Sequence, residues 1–279
     1  MRSTSTKATA GDSERFVFMN SIKRIKEIYD YREMIFMLVR RDLRGRYKGS
    51  VLGFAWTFLN PLLQLVVYTI VFSTIMRAGI EKFYLFLFVA LIPWGFFAAS
   101  LTGGCSSVLG QGSMVKKIYF PREVLPIAYV TTSFVNMLYC FIVIFAVVFF
   151  SGVGFNFTAL LYLPLVMAVE YVICLGFAML TSAITVYCRD LEYMLGILTM
   201  MWMYLTPIIY PITMVPQEYL PFFQLNPMTP VITAYRDILY YAKVPEAATL
   251  FHALLMGTAV LGIGWHVFDK LSRHFAEEL

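Results

Sequence analysis

Six stretches of this chain, near residues 51–76, 83–104, 124–150, 158–187, 191–211 and 248–268, run twenty or more residues with almost no charge. A window of about 20 apolar residues is what crosses the hydrocarbon core of a bilayer. A water-soluble domain with that many such stretches still needs a charged surface, and only 14% of these residues are charged while 59% are hydrophobic, against about 25% and 45–50% in soluble domains. The expected fold class is an all-α integral membrane protein with six transmembrane helices.

The remaining segments set the organisation. Residues 1–50 read as a cytoplasmic tail, Ser/Thr-rich over 1–12, followed by an amphipathic interface helix in which Phe, Met, Ile and Tyr alternate with Lys and Arg. The six-span domain covers 51–268, and 269–279 form a second tail. No apolar core with a small-residue cleavage site appears in the first fifty residues, so no signal peptide is expected. Cytoplasmic loops retain Lys and Arg. With the N-terminus inside, all but four of the 22 basic residues fall on the cytoplasmic side, the exceptions being Arg77, Lys82, Arg236 and Lys243. Both termini are therefore expected in the cytoplasm, with the chain in a cytoplasmic membrane.

Between the fifth and sixth spans, residues 212–247 are too polar to cross yet carry the pieces PFFQLNPMTP and AYRDILYYA. Irregular backbone at membrane depth is tolerated only where protein or water satisfies it. Two readings stand open: re-entrant helices roofing a pathway, or an outer loop with a surface helix.

Several chemistries are excluded. The nucleotide-binding loop needs a Gly-Lys pair followed by Ser or Thr, and no Gly-Lys pair occurs. Neither a Gly-x-Ser-x-Gly elbow nor paired carboxylates within the spans are visible. Cys105, Cys140, Cys174 and Cys188 lie far apart and read as free thiols. His252, His266 and His274 lack the spacing of a zinc helix. No metal or cofactor is expected on this chain, and no nucleic acid.

The strongest local signal is LVRRDLRGRYKGSVLGFAWTFLNPLLQ. Arg40, Arg41, Arg44, Arg46 and Lys48 cluster against Asp42 alone and precede an aromatic-rich span. Such a cluster attracts anionic headgroups, which already accounts for topology and anchoring. It is also suited to grip the pyrophosphate of a lipid carrier, since Arg binds phosphate in bidentate fashion.

That segment, with KKIYFPREVLP, TPIIYP and NPMTPVITAYRDILY, resembles the permease subunits of bacterial polysaccharide-export ABC transporters, from about Arg40 to the last span. The resemblance implies a homodimer joined to two copies of a separate ATPase chain that binds ATP and Mg, and a substrate of O-antigen, capsular or teichoic type carried on a polyprenyl lipid. It places Phe120, Pro121, Arg122 and Glu123 at a gating or coupling loop, together with the Arg189-Asp190 turn. The alternative for each is a simple turn or membrane-edge cap. For the pathway, aromatic faces suit a sugar polymer, and Trp56, Phe58, Tyr68, Trp94, Phe96, Phe97, Trp202 and Tyr204 are candidates, though aromatic residues also form interfacial belts.

Glu170, near the middle of the fourth span, is costly there and is a functional candidate by default. It either lines the translocation cavity or is a protonated carboxyl packed between helices. Three other classes compete: a drug or simple-lipid exporter of the same fold, a membrane-embedded glycan or lipid enzyme, for which the sequence shows no His/Asp/Glu cluster, and a secondary transporter, for which it shows no internal repeat.

Overall fold

The structure, a computed structural model, describes residues 23–46, 48–71 and 79–279, the side chain of Ala276 excepted. The tail expected over 1–12, the part of the interface segment before residue 23, and the end of the first span at 72–76 lie outside the described residues.

Among them, α-helices carry the fold. A helix over 23–30 (α1) runs through a turn at Tyr31 into α2 (Arg32–Gly45), followed by α3 (Trp56–Thr69), α4 (Phe83–Cys105), α5 (Gly112–Lys117), α6 (Val124–Ser151), α7 (Phe157–Leu160) and α8 (Leu163–Tyr187). After these come α9 (Asp190–Tyr204), α10 (Leu220–Gln224), α11 (Met228–Leu239), α12 (Ala247–Ser272) and α13 (Phe275–Glu278).

Among the described residues, four segments are long and apolar enough to cross a membrane: Phe83–Cys105, Val124–Ser151, Phe157–Tyr187 and Ala247–Ser272. These match four of the six expected windows. The other two contain shorter helices. Helix α3 has 14 residues and α9 has 15, or roughly 21 and 22 Å at 1.5 Å per residue. The α9 helix stops at Tyr204, short of the expected 211, because Pro207 and Pro211 disfavour helical backbone in the residues before them.

Local chemistry explains the other boundaries. Gly152 takes the left-handed conformation that ends α6, with φ 72°. Asn156 caps α7 by accepting from the Thr158 and Ala159 amides at 3.0 and 3.3 Å. Pro164 sits in the first turn of α8, where its missing N–H costs nothing.

Packing centres on α8, which lies between α4 and α12. Its seam with α12 is made by glycines. A Cβ on Gly176 would stand 2.6 Å from the Leu261 nitrogen, and one on Gly264 would stand 2.1 Å from the Gly176 carbonyl oxygen. Only bare backbone allows this approach, the device of small residues at helix contacts in membranes. Helix α2 lays Leu38 and Val39 against the bundle beside α6, leaving Phe36 and Met37 exposed.

The segment after α9 folds inward. Helix α11 packs on α4, α8 and α12 and is buried over nearly its whole length, Arg236 and Asp237 included. A helix lying free on the surface would not show this.

Candidate functional site

Most polar groups inside this bundle are paired with other protein groups. Tyr235 on α11 donates its hydroxyl to Glu170 Oε2 at 2.6 Å, and both residues are fully buried. The second Glu170 oxygen is buried without a partner. Next to Tyr235, Arg236 sits 3.6 Å above the Phe86 ring. Its guanidinium donates to the carbonyls of Pro207 and Ile208, each at 2.5 Å, and to those of Tyr210 and Phe86 at 3.4 Å. Asp237 turns instead to Lys243, at 3.1 Å. A buried guanidinium satisfied by carbonyls and an aromatic face avoids the desolvation cost of an unpaired charge. It also fastens the proline-broken end of α9 to α4.

Asn226 completes this knot. It accepts from the Trp202 indole at 3.0 Å and donates to Thr206 Oγ1 at 2.8 Å. Trp202, Phe97 and Phe177 meet edge to face with centroids 5.1–5.6 Å apart, and Trp94 abuts Phe97 at 5.2 Å. Three of the aromatic residues singled out for a pathway, Trp94, Phe97 and Trp202, thus share one packed cluster between α4, α8 and α9.

The opposite flank of α4 is built differently. Between α3, α4 and α6 lies a cavity of about 480 Å³. Thr57, Asn60, Pro61 and Gln64 face it from α3, and Ser133, Asn136, Met137 and Cys140 from α6. Both sets fall at i, i+3, i+4 and i+7, which puts each on a single helix face. Two polar stripes therefore confront each other across an otherwise apolar interior. Helix α4 contributes Gly95, whose missing side chain leaves open space, and Phe96. Trp56 closes one side.

One bond ties the stripes together. Pro61 has no N–H, so the Thr57 carbonyl loses its helical donor; the Cys140 thiol on α6 donates to that oxygen instead, at 3.4 Å. The Ser133 hydroxyl, in contrast, is buried with no partner. An orphan hydroxyl beside amides in a cavity of this size is suited to a ligand rich in hydroxyl groups, or to water.

Arg46 stands at one end of this cavity and also lines a second of about 620 Å³, with Arg41, Asp42 and Gln111 among its walls and the partnerless Ser107 hydroxyl beside them. The two cavities share Arg46 as a lining residue, so the basic cluster borders both. Of that cluster, Arg40, Arg41, Arg44, Arg46 and Lys48 are all exposed, and Arg41 pairs with Asp42 at 2.9 Å.

The expected gating loop is largely buried. Phe120, Pro121 and Glu123 are inside, and Arg122 donates to the Ser272 carbonyl at the end of α12. Glu123 is held by Arg24 of α1 at 2.8 Å, while its other oxygen has no partner. Partial burial works against the Arg24 charge, but Glu123 and Asp269 outweigh it and hold the Arg24 pKa above its ordinary value. Arg189 and Asp190 are both exposed at the start of α9, and no salt bridge joins them. Phe58 and Tyr68 are half-buried, and Tyr204 is exposed. Ser50, Asn60, Gln64, Gly95, Ser133 and Asn136 did not emerge from sequence reasoning. For Asn60, Gln64, Ser133 and Asn136 the signal was available in the i, i+3, i+4, i+7 spacing of polar residues within apolar windows.

Comparison with known proteins fits this architecture. The chain is 32% identical over 260 residues to the O-antigen export system permease protein RfbA of Myxococcus xanthus, covering 92% of this chain and all of that one. It is 30% identical to the protein of the same name from Klebsiella pneumoniae, covering 88% and 95%. A more distant relative is the polysialic acid transport protein KpsM of Escherichia coli, 21% identical over 231 residues and covering 81% and 89%. The ABC-2 type transporter model matches residues 33–240. With that match spanning most of the sequence, the chain belongs to the ABC-2 type transporter family.

Proposed function

We propose that this chain is the membrane-spanning subunit of an ATP-driven exporter of lipid-linked polysaccharide, and that the groove between α3, α4 and α6 receives the lipid-proximal end of the glycan. The observation that carries the second half is the pair of facing polar stripes with the unpartnered Ser133 hydroxyl between them. The first half is supported by the relatives, whose names are those of O-antigen and polysialic acid transporters.

In this reading α3 and α9 complete a set of six spans, α10 and α11 re-enter the membrane from outside, and both termini are cytoplasmic. Exposed apolar residues on α3, such as Leu63, Val66 and Val67, and on α9, such as Ile197, Met200 and Met201, supply the seam of a homodimer. Arg41 and Arg46 meet the pyrophosphate at the mouth of the groove, where planar guanidinium groups match its paired oxygens. Amides and hydroxyls further in exchange hydrogen bonds with sugar, each weak enough for the polymer to move on.

ATP is hydrolysed on two copies of a partner ATPase. The exposed Arg189-Asp190 turn contacts that partner, and the buried Phe120–Glu123 loop passes the movement on, because Arg24 and Arg122 bind it to α1 and to the end of α12. Trp56 belongs to the pathway through the groove and Tyr204 through the seam. Phe58 and Tyr68 flank α3, and Trp94, Phe97, Trp202 and Glu170 set the shape of the wall from behind.

The test is ATP-dependent movement of lipid-linked glycan in vesicles holding this chain and its ATPase, with a hydrolysis-dead ATPase as control. Glycan movement that requires both active chains is expected. ATP turnover that drives a drug or simple lipid, with no glycan movement, would contradict the reading.

A further inference from the structure

Five cations converge on a third cavity, of about 440 Å³, at the end of the bundle where α6 begins and α12 ends. Arg24, Lys116, Lys117, Arg122 and Arg273 line it, and Glu27 is the only carboxylate among its lining residues. Three of these cations are already engaged. Arg24 lies 2.8 Å from Glu123 and 3.6 Å from Asp269, Arg273 lies 3.3 Å from Asp269, and Arg122 donates to the Ser272 carbonyl. Lys116 and Lys117, at the end of α5, are exposed, and neither has a salt-bridge partner among the described residues.

Position and shape narrow the ligand. Helices α6 and α12 are both long and apolar enough to cross the membrane, so the residues just beyond their ends, Arg122 and Arg273, stand where a bilayer gives way to headgroups. Beside the two lysines, Ile118 and Tyr119 are 58% and 84% exposed. An aliphatic and a tyrosyl side chain at that level fit the acyl–headgroup boundary, where one end of a residue is wet and the other apolar. A soluble anion has no use for them.

We propose that this cavity binds the phosphate-bearing headgroup of an anionic phospholipid, with Lys116 and Lys117 on the phosphate. Basic pockets at span ends have the charge for such headgroups, and an ammonium acts on phosphate as a point charge without demanding a fixed plane. The bound lipid ties together α1, α5 and the end of α12, which all contribute residues to the cavity. The site is separate from the groove and does not depend on what the groove carries. An acidic face of the partner ATPase is the competing occupant, and the test distinguishes it.

The full chain with its ATPase is reconstituted in nanodiscs of mixed phosphatidylcholine and phosphatidylglycerol, stripped with mild detergent, and weighed intact by native mass spectrometry. Retained phosphatidylglycerol is expected on the wild-type complex. The double variant Lys116→Gln, Lys117→Gln is expected to retain it roughly thirtyfold less well, at the ~1 kcal/mol that each basic residue contributes near an anionic surface. Lys116→Arg, Lys117→Arg keeps the lipid. Lys23→Gln, Lys26→Gln removes two exposed charges of α1 outside the cavity and also keeps it. Equal loss in both glutamine pairs would reduce the effect to general basic attraction and overturn the site. Undiminished lipid in the Lys116/Lys117 glutamine variant, with the ATPase no longer co-purifying, would assign the surface to that partner and also overturn it.

Discussion

The two flanks of α4 spend their polar residues in opposite ways. On the flank facing α8, α9 and α11, Arg236, Asn226 and Tyr235 are each bonded to protein, and Trp94, Phe97 and Trp202 fill the space between them. On the flank facing α3 and α6, amides and hydroxyls border open volume and Ser133 has no partner. A polar side chain inside a membrane bundle is costly in either case. Unpartnered oxygens occur on both flanks, Glu170 Oε1 and Thr229 Oγ1 on the packed side and Ser133 Oγ on the other, and of these three it is Ser133 that borders the cavity. The two flanks should therefore respond differently to the same kind of substitution.

The sharpest contrast is between two glycines. Gly176→Leu drives a side chain into the backbone of α12 at Leu261. Overpacking costs about 1–3 kcal/mol where side chains can yield, and backbone yields less. Loss of folded protein is expected, checked by recovery of monodisperse material in detergent. Recovery at wild-type yield would break the account of the α8–α12 seam.

Arg236→Met comes next. It leaves the Pro207 and Ile208 carbonyls buried and unanswered, at about 1–3 kcal/mol for each such group. A clearly lowered thermal midpoint is expected, with proteolysis appearing first after α9. An unchanged midpoint would mean that water reaches those carbonyls.

Smaller effects separate the members of the buried pair. Tyr235→Phe removes the one donor to Glu170 among the described residues and should cost about 1–3 kcal/mol, read as a thermal shift. Glu170→Gln keeps an acceptor for Tyr235 and should cost less than about 1 kcal/mol. If the glutamine variant folds as well as wild type yet exports poorly, the carboxyl itself takes part in transport. If it exports normally, Glu170 holds α11 in place and does no more.

Much of the fold was legible from periodicity and charge alone. Four long apolar helices fall where uncharged windows predict them, since a lipid-facing helix has no other way to satisfy its backbone. The limit of α9 was less legible. Hydropathy continues through TPIIYP, but Pro207 and Pro211 end the helix regardless of how apolar the segment is. The site was legible only in part. Aromatic residues attract attention individually, yet whether Trp94 or Trp56 borders open space depends on which face of its helix meets a neighbour, and that is a tertiary fact. Glu170 stood out because a lone carboxylate in a span is conspicuous, whereas its partner Tyr235 lies 65 residues away on another helix. The amide stripes were in view as spacing, but each Asn or Gln taken singly resembles an ordinary helix residue.

The central claim, that the groove beside α3 is where the glycan engages, rests most directly on Gly95. Its Cβ position meets open space within the groove, and replacing a helical glycine raises helix propensity by roughly 1 kcal/mol. Gly95→Leu should therefore fold at least as well as wild type while filling the passage. The decisive measurement is ATP-dependent glycan transport by this variant in vesicles, alongside its thermal midpoint. The account predicts transport reduced at least about tenfold, the equivalent of ~1.4 kcal/mol, with the midpoint unchanged or raised; wild-type transport by a stably folded Gly95→Leu protein would contradict it.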